Sequence, residues 1–550
     1  MLNSRRVPRW VAKIIGDIQA SDFAKVVLII RNASPAVPRK KRFRERLKAY
    51  WTHTLFERYQ RWDRRRHRAA LDAFEEQDVT ELLRGIPELP TVPIKKGFVD
   101  RFSSEDIAHI RAADLDVLFR FGFRIIRGEI LSCAKYGVWS FHHGDNRQYR
   151  GAPPGFWEIY EGNPVTGSIL QVLTESLDGG RVIYRSLSGT DFGSLYSSLN
   201  PMYWKTAQFA IRRLADVHRH GREYLEGLEE FNEPDTYRKG IYRTPSAPVM
   251  VRFLARTFAR VLWRRFCSLI FDERTEWFIA YRQRARSRTI LKDRTQFRTI
   301  LPPPGRFYAD PFLIKHEGKD YLFLEDFDFS KRRAGISYTE LQKDGEIGTP
   351  QAALATDYHL SYPFVFEYRN ETYMIPETKE PRRIELYRAE RFPDRWTPIR
   401  TIAEDVLAVD STIFHHKERF WLFANIATPG ASTFDELHLF YTDTLDGEWK
   451  PHPKNPIISD VRRSRPAGSL FFEDGKLIRP SQDCSLRYGY ALVFNEVQIL
   501  SETEYREVPI GRIEPDWFPG MVCTHTYNRS DDFEALDGMR IKRVLRIWRG

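Results

Sequence analysis

The feature that most restricts the fold of this 550-residue chain is a repeated pattern in its second half. Three segments, 307–326, 361–378 and 409–425, each predict a strand, a short polar turn and a second, aromatic-rich strand. A weaker fourth copy lies at 465–483. A period of about 50 residues is typical of one propeller blade. Counting the sequence on both sides of the copies, we predict an all-β five-bladed propeller over residues 273–550.

The first part of the chain has a different pattern. Predicted strands at 26–31, 116–123, 137–142 and 168–173 alternate with predicted helices at 8–18, 128–135 and 203–218. This alternation is typical of a parallel sheet covered on both faces. We therefore predict an α/β domain over residues 1–220, followed by a linker over residues 221–272.

Composition argues against several classes of protein. Cys133, Cys267, Cys484 and Cys523 are widely spaced, which disfavours a zinc module or a disulfide scaffold and favours a reducing compartment. No apolar run reaches the length of about 18–20 residues that spans a bilayer. The first ten residues lack the apolar core of a signal peptide. We therefore expect a cytoplasmic protein without a metal site.

The net charge of +12 is concentrated in two segments. The first, residues 39–68, carries 13 Lys and Arg against 3 Asp and Glu, a net charge of +10. It predicts a helical insertion over about 39–83, whose basic side chains form either a solvated face or a surface for an acidic partner. The spacing of Trp51, Tyr59 and Trp62 fits a packed helix better than base stacking, so nucleic acid is not favoured as a partner.

The second basic segment is a predicted amphipathic helix in the linker. Its polar face carries five arginines: Arg252, Arg256, Arg260, Arg264 and Arg265. Packing against a domain and binding to an anionic membrane surface both remain open for this helix. The second alternative would place the protein peripherally at the inner face of the membrane.

Residues 137–180 contain the pattern most typical of catalysis. His142 lies at the carboxyl end of a predicted strand, which is the edge where open α/β sheets bind ligands. Asp178 follows the next predicted strand. A His–carboxylate pair is suited to general base catalysis, although such a pair is also common as a structural contact.

The same segment resembles the catalytic core of the folate-dependent formyltransferases, the group that contains the methionyl-tRNA and amino-sugar formyltransferases. The residues that match this pattern are, in order, His142, Tyr149-Arg150-Gly151, Thr166-Gly167 and Leu177-Asp178-Gly179-Gly180. The resemblance covers approximately residues 5–220. It implies a Rossmann-like α/β domain that binds 10-formyltetrahydrofolate as the formyl donor.

The resemblance also implies roles for individual residues. His142 would act as the base and Asp178 would hold its imidazole. The donor-binding residues would be Gly122, Phe123, Leu177 and Gly179, and the substrate-binding residues Tyr149 and Arg150. Ser140 stands where the family has a catalytic Asn, and we expect its hydroxyl to polarise the formyl carbonyl. A donor aimed at such an oxygen is worth about 3–4 kcal/mol.

A second departure concerns the start of the domain. The family opens with a central strand before its first helix, whereas only a few residues precede Val7-Pro8-Arg9-Trp10. We hypothesise that this strand is missing because the true start lies upstream.

The second half resembles the propeller of plant glucosamine inositolphosphorylceramide transferases and, more distantly, furanosidase propellers such as the arabinanases. The residues that carry this resemblance are Ala309-Asp310-Pro311-Phe312, Ile375-Pro376-Glu377-Thr378, Val409-Asp410-Ser411-Thr412 and His452-Pro453-Lys454-Asn455-Pro456. It implies that Asp310, Glu377 and Asp410 occupy comparable places in their repeats and contact a sugar together with Arg465. Furanosidases hydrolyse with such carboxylates, whereas binding or positioning of a glycan is the interpretation we favour.

These patterns predict a formyltransferase of polysaccharide biosynthesis. The formyl group would pass to an amine on a sugar or glycan precursor, and the propeller would bind the glycan portion. One alternative is a catalytically silent formyltransferase fold that binds glycans. Another is a propeller-based glycosidase or an accessory protein of glycosyl transfer.

Overall fold

The structure, a computed structural model, describes residues 1–35, 43–176, 179–232, 240–284, 290–291 and 293–546, with the side chains of 43–53 and Glu230 excepted. The chain divides into two compact units, each described here by itself. The first unit comprises Met1–Phe258 and Thr428–Ser432. The second comprises Ala259–Ala427 and Thr433–Gly550 and is called the five-sheet unit below. Within the described ranges, no helix combines the length and apolar composition that crossing a membrane requires.

The first unit mixes short strands with helices. Its strands are β1 (Arg6–Pro8), β2 (Ile29–Asn32), β3 (Glu76–Asp78), β4 (Glu88–Thr91), β5 (Ile94–Lys96), β6 (Val99–Arg101), β7 (Leu118–Arg120), β8 (Ile125–Ile126), β9 (Val138–His142), β10 (Arg150–Gly151), β11 (Val165–Val172), β12 (Arg181–Gly189) and β13 (Ile241–Tyr242). Its helices are α1 (Arg9–Ala20), α2 (Phe43–His67), α3 (Ser104–Ala112), α4 (Phe156–Glu161) and α5 (Leu195–Glu226), and α6 (Ala247–Ile270) begins in it. Short 3₁₀ helices lie at Glu129–Ser132 and Glu229–Phe231.

The main sheet of this unit has the strand order β12-β11-β9-β7. β7 and β9 run parallel, whereas β11 is antiparallel to both β9 and β12. β2 and β4 form a separate parallel pair. The predicted parallel sheet is therefore wrong for β11, which runs antiparallel to both of its neighbours. A Rossmann-like order for the whole unit stays a prediction.

The first three residues lie where the resemblance places a central strand. The Leu2 N–H donates to Ile30 at 2.9 Å, and the Leu2 carbonyl accepts from Asn32 at 2.9 Å. On the other side, the Met1 carbonyl accepts the N–H groups of Phe121 and Gly122 at 3.1 and 3.0 Å. Met1 and Leu2 therefore lie between the β2–β4 pair on one side and the segment directly after β7 on the other. A cavity of about 920 Å³ lies beside them, between the segment before β2 and the segment before β7.

The basic insertion packs against the rest of the first unit through the last turns of its helix, α2. The structure places α2 at Phe43–His67, so the helix ends earlier than the predicted position near 83, and β3 and β4 follow it. Residues 39–42 lie outside the described residues. Asp63 is buried and accepts hydrogen bonds from the Tyr196 N–H at 2.7 Å and the Ser194 hydroxyl at 3.0 Å, at the start of α5. Tyr59 is buried beside it, whereas Trp62 is 58% exposed.

The second unit is built from strands. They are β14 (Phe271–Gln283), β15 (Arg298–Ile300), β16 (Arg306–His316), β17 (Lys319–Asp328), β18 (Arg333–Leu341), β19 (Gln351–Leu354), β20 (Ser361–Tyr368), β21 (Glu371–Glu377), β22 (Ile384–Arg391), β23 (Arg395–Ala403), β24 (Leu407–His416), β25 (Arg419–Ala427), β26 (Glu436–Thr442), β27 (Lys450–Pro451), β28 (Ile458–Ser459), β29 (Arg465–Pro466), β30 (Phe471–Glu473), β31 (Lys476–Asp483), β32 (Ala491–Leu500), β33 (Tyr505–Ile513), β34 (Met521–Cys523), β35 (Tyr527–Arg529) and β36 (Phe533–Leu545).

These strands form five antiparallel sheets, the number predicted, which supports a propeller-like unit. Four sheets follow the chain order, and their first strands β16, β20, β24 and β29 lie side by side. The remaining sheet pairs β14 with β36 over their whole length, so it joins both ends of the unit. The ring closes where the Tyr527 N–H donates to the Ala467 carbonyl at 2.8 Å. Aromatic residues of the aromatic-rich strands pack in the core, for example Phe312, Tyr362 and Phe420 in one buried cluster.

The repeated polar turns are tight. In each of the four sequence copies, two residues of positive φ connect the paired strands: Glu317-Gly318, Arg369-Asn370, Lys417-Glu418 and Asp474-Gly475. Two-residue turns with positive φ at both positions match the right-handed twist of the strands they join. The turn chemistry therefore fixes the register of each hairpin.

Candidate functional site

His142 ends β9, as the sequence predicts. Its Nε2 lies 2.8 Å from the carbonyl oxygen of Tyr149, at the end of the following loop. Because a carbonyl oxygen only accepts hydrogen bonds, Nε2 carries the proton, and Nδ1 holds the lone pair that a base needs. The neighbouring His143 is different: burial lowers its pKa to about 3, with a further contribution from His142. His143 is therefore neutral at physiological pH, stacked on Tyr203 at 3.7 Å.

Ser140 lies inside the sheet. Its side chain is fully buried, and its Oγ accepts hydrogen bonds from Arg120 Nε at 3.0 Å and Nη2 at 2.8 Å. Arg120 is the register partner of Ser140 across β7 and β9, which explains the contact. Sequence reasoning missed Arg120, because its contact with Ser140 depends on which strands become neighbours in the sheet. A substrate reaches the Ser140 hydroxyl only if this contact rearranges, so its role in polarising a carbonyl stays a prediction.

The other residues assigned by the formyltransferase resemblance are placed as follows. Leu177 and Asp178 lie outside the described residues. The N–H groups of Gly122 and Phe123 bond to the Met1 carbonyl and to Asn3 Oδ1, each at 3.0 Å, so both are used within the protein. The Gly179 N–H donates to the Ser176 carbonyl at 3.4 Å.

Tyr149 and Arg150 follow the loop after His142. The Tyr149 hydroxyl donates to Glu161 at 3.1 Å, and its ring stacks on Tyr242 at 5.5 Å. Arg150 pairs through its backbone with Ile241 in the short parallel pair of β10 and β13. Both residues therefore support the loop that holds His142, and a contact with substrate stays a prediction.

The centre of the five-sheet unit holds a second group of functional candidates. Asp310, Tyr362 and Asp410 take equivalent positions on β16, β20 and β24, each at a register irregularity and each with φ near +50° (51°, 46° and 52°). This backbone conformation is strained for residues other than glycine and often occurs at functional sites. Glu377 takes a different position, at the end of β21 opposite Ser361, so it is not the counterpart of Asp310 and Asp410 in its repeat.

Arg465 joins two of the predicted carboxylates. Its guanidinium forms an ion pair with Asp410 and lies 3.5 Å from the Glu377 carboxyl group. Gln482 Nε2 donates to Asp410 at 2.7 Å, and the Asp410 N–H donates to Glu377 at 3.2 Å. All four side chains are buried, so the structure brings Glu377, Asp410 and Arg465 together as one hydrogen-bonded group.

Asp310 belongs to a neighbouring group that includes two residues the sequence analysis missed. The Asp310 N–H donates to Asp537 at 3.1 Å, and its carboxylate accepts from Thr526 Oγ1 at 2.6 Å. His525 Nδ1 forms an ion pair with Asp537 at 2.5 Å and its Nε2 lies 3.8 Å from Asp310. His525 lies between β34 and β35, and Asp537 lies on β36; both are outside the four repeat copies, so no local pattern pointed to them.

Burial controls the charges of this centre. It raises the pKa of Asp310 to about 7, with His525 opposing the shift and Glu325 and Asp410 adding to it. Burial and the negative charge of Asp410 raise the pKa of Glu377 well above its usual range. A carboxyl group with a raised pKa keeps its proton near neutral pH and donates a hydrogen bond. Such groups occur preferentially at functional sites.

Aromatic rings border this centre. The Tyr488 ring lies 4.7 Å from the Arg465 guanidinium and is 39% exposed, whereas Arg465 is 6% exposed. Phe434 stacks beside Tyr488 at 5.8 Å, and Trp277 stacks on His525 at 4.5 Å. A partly exposed aromatic surface next to buried carboxylates suits a ligand with one apolar face and several hydroxyl groups.

Asp310, His525 and Asp537 also form a potential metal site. One ligand atom from each lies within 4.8 Å of the others, and no second group of this kind occurs in the described part of the chain. Burial alone would lower the pKa of His525, but Asp537 and Asp310 outweigh it and raise the pKa to about 9. At neutral pH the imidazole is therefore protonated, and a metal that binds here has to displace this proton.

The raised pKa of His525 predicts a pH-dependent stability. Its folded pKa of about 9 exceeds the ordinary value of 6.5, so its contribution is complete below pH 6.5 and is lost as the pH rises through 9. We expect the melting temperature to fall between pH 6.5 and 9, and to fall less in His525→Gln. Thermal melts followed by circular dichroism measure this difference. Equal slopes in the two proteins would contradict the ion pair with Asp537.

Comparisons with known proteins find two separate similarities. Residues 298–515 match the family described as glucosamine inositolphosphorylceramide transferase 1, N-terminal. The enzyme of that name from Arabidopsis thaliana is 39% identical over 211 residues, which cover 38% of this chain and 28% of the relative. The enzyme from Oryza sativa subsp. japonica is 36% identical over 214 residues, which again cover 38% of this chain and 28% of the relative. The chain thus spans less than a third of these relatives.

A shorter similarity links the chain to formyltransferases. The methionyl-tRNA formyltransferase of Prochlorococcus marinus is 38% identical over 71 residues, which cover 13% of this chain and 21% of the relative.

Two solved structures also match part of the chain. A β-xylosidase is 12% identical, with a TM-score of 0.33, and the match covers 44% of this chain and 93% of the xylosidase chain. An exo-β-1,3-galactanase from Phanerochaete chrysosporium is 11% identical, with a TM-score of 0.30 and coverages of 37% and 49%.

Proposed function

We propose that this protein is a transferase acting on a glycan, and that one sugar of the glycan binds at the centre of the five-sheet unit. The observation that carries the proposal is the convergence of Asp310, Glu377, Asp410 and Arg465, from four different sheets, on this centre. Convergent polar groups with perturbed pKa values define the default binding site of a protein.

The chemistry of the centre suits a carbohydrate. A sugar presents hydroxyl groups that both donate and accept hydrogen bonds. Protonated Glu377 donates, the Asp410 carboxyl oxygens accept, and Arg465 donates from its guanidinium. The face of a sugar ring that carries C–H groups packs on exposed aromatic rings such as Tyr488.

The similarity to transferases supports the same proposal. The matched residues 298–515 include Asp310, Glu377, Asp410 and Arg465. The relatives bear the name glucosamine inositolphosphorylceramide transferase. Because the chain spans only part of them, we extend to it the class, transfer involving a glycan, and leave the donor and acceptor to experiment.

The test is direct binding. The full chain is applied to an immobilised panel of glycans that includes glucosamine-, N-acetylglucosamine- and inositol-containing saccharides, and retention is measured. We expect retention on at least one sugar and competition by that sugar in free form. A complete absence of retention across the panel would reject the proposal.

A second candidate function is formyl transfer at the end of β9, for which the observation is the similarity to methionyl-tRNA formyltransferases together with the position of His142. The described residues fit 10-formyltetrahydrofolate in part. His142 keeps Nδ1 for a proton, whereas Ser140 is occupied by Arg120 and the N–H groups of Gly122 and Phe123 are used elsewhere. We therefore derive no reaction step through the donor.

Folate binding tests this second candidate separately from turnover. If it is correct, 10-formyltetrahydrofolate quenches the intrinsic fluorescence of the full chain on binding, and an amino sugar then accepts the formyl group. His142→Ala should bind the folate and lose the transfer, because only the base is removed. Binding without transfer by the native chain would identify a silent fold, and no folate binding would exclude the candidate.

A further inference from the structure

Helix α6 exposes an unusually large apolar surface. Its first turns are anchored in the first unit, where Met250 and Phe253 are buried among Phe56, Tyr59 and Phe156. From Leu254 to Leu269, by contrast, most side chains are exposed. The exposed large apolar residues of α6 are Val251, Leu254, Phe258, Val261, Leu262, Trp263, Phe266 and Leu269.

The apolar side chains form a stripe. Val251, Leu254, Phe258, Leu262, Phe266 and Leu269 follow one another at intervals of three or four residues, and such spacing places them on one side of a helix. Phe258 is 64% exposed and Leu269 is 71% exposed. A soluble surface rarely leaves a contiguous apolar patch of this kind uncovered, and such a patch usually marks an interaction site.

The opposite side of α6 is basic. Arg252, Arg256, Arg260 and Arg264 follow one another at four-residue intervals, and the helix contains no acidic residue. Arg256 lies over the Tyr160 ring at 5.8 Å. Among the described residues, no carboxylate forms an ion pair with Arg252, Arg260 or Arg264. A helix with one apolar side and one arginine-rich side is complementary to an anionic lipid surface, where the apolar side enters the acyl boundary and the arginines meet the headgroups.

We propose that the α6 segment Leu254–Leu269 docks the protein onto an anionic lipid bilayer, lying in the plane of the interface. The positive charge of α6 favours a bilayer over a second copy of this chain as the binding partner. A second copy of this chain would bring the same unpaired arginines close together, and repulsion between them would oppose the contact. An anionic bilayer neutralises them instead. This inference stands independently of the proposed glycan binding.

Vesicle flotation with the full chain tests the proposal. We expect it to float with vesicles of phosphatidylcholine containing about one third phosphatidylserine, and much less with pure phosphatidylcholine. Raising the salt from about 0.15 M to about 1 M should weaken the electrostatic part of the binding. Failure to float with the anionic vesicles at low salt would overturn the proposal.

Two pairs of variants separate the apolar from the charged contribution. Phe258→Ser with Phe266→Ser should weaken binding by about tenfold or more, because the inserted rings are lost. Arg260→Gln with Arg264→Gln should weaken binding by about tenfold or more, and only to the anionic vesicles. The matched controls are Phe98→Ser with Phe329→Ser, and Arg332→Gln with Arg506→Gln, which are exposed elsewhere. These controls should float like the native chain.

All substituted side chains are exposed, so circular dichroism melts should match those of the native chain. Equal flotation of the α6 variants and the controls would overturn the proposal. A native dimer in sedimentation, converted to a monomer by the Phe258→Ser and Phe266→Ser changes without any vesicle binding, would identify contact between copies and would overturn it as well.

Discussion

Replacing Arg465 with Met is expected to lower the free energy of unfolding by about 3–5 kcal/mol. Arg465 is 6% exposed, forms an ion pair with Asp410 and lies 3.5 Å from the Glu377 carboxyl group. The substitution keeps an apolar chain of similar length but leaves two buried carboxyl groups without their cation. Most of this cost arises because the buried Asp410 side chain is left without a charge partner, and less of it arises from the lost attraction between Asp410 and Arg465.

A second substitution identifies the source of that cost. In Arg465→Met with Asp410→Asn, the residue at position 410 is neutral and still accepts the hydrogen bond from Gln482. We therefore expect the double variant to be more stable than Arg465→Met alone. Urea unfolding followed by near-ultraviolet circular dichroism reports on the aromatic residues between the sheets.

The matched control is Arg391→Met. Arg391 forms an ion pair with Asp394 on the surface, where solvent screens the charges, so the unfolding curve should scarcely move. If Arg465→Met unfolded at the same urea concentration as the native chain, the description of the centre as a buried ion-paired group would be contradicted.

Replacing Glu377 with Ala is expected to weaken sugar binding by about tenfold to a hundredfold, because a hydroxyl group of the sugar loses its hydrogen-bond partner. Glu377→Gln, in contrast, should bind nearly as well as the native chain. Burial and Asp410 hold Glu377 in its protonated form, and a glutamine amide reproduces a neutral side chain that both donates and accepts. Titration calorimetry with the sugar selected from the glycan panel gives the affinities.

Glu385→Ala supplies the control for this series. Glu385 is buried in the same sheet but accepts hydrogen bonds from Tyr358 and Tyr387, away from Arg465. Its removal should leave the sugar affinity unchanged. A Glu377→Gln variant that binds as weakly as Glu377→Ala would show that the ionised carboxylate is required, contrary to the raised pKa.

Local patterns in the sequence predict much of the second unit. The strand–turn–strand copies follow from alternating aromatic residues and two-residue turns, which act over a few positions and are visible without a structure. They predict the five sheets and bring attention to Asp310 and Asp410. Contacts between distant residues are not visible in this way. The pairing of β14 with β36 and the place of His525 depend on the closure of the ring.

In the first unit, too, local patterns are visible in the sequence and contacts between distant residues are not. The ends of β9 and α1 lie close to their predicted positions, because each has a clear period of apolar residues. The contact of Arg120 with Ser140 could not be predicted, since it depends on which strands become neighbours. The family resemblance pointed to Ser140 by its position in a motif, whereas the structure shows which partner its hydroxyl has.

The pairing of β14 with β36 sets an order on the synthesis of the protein. The two strands lie at opposite ends of the second unit, so β14 leaves the ribosome long before its partner is translated. During that interval the other sheets can form their hairpins, but the ring stays open and its edge strands are unpaired. Unpaired strand edges on incomplete chains favour aggregation, so the second unit is exposed to aggregation until β36 has been made and has paired with β14.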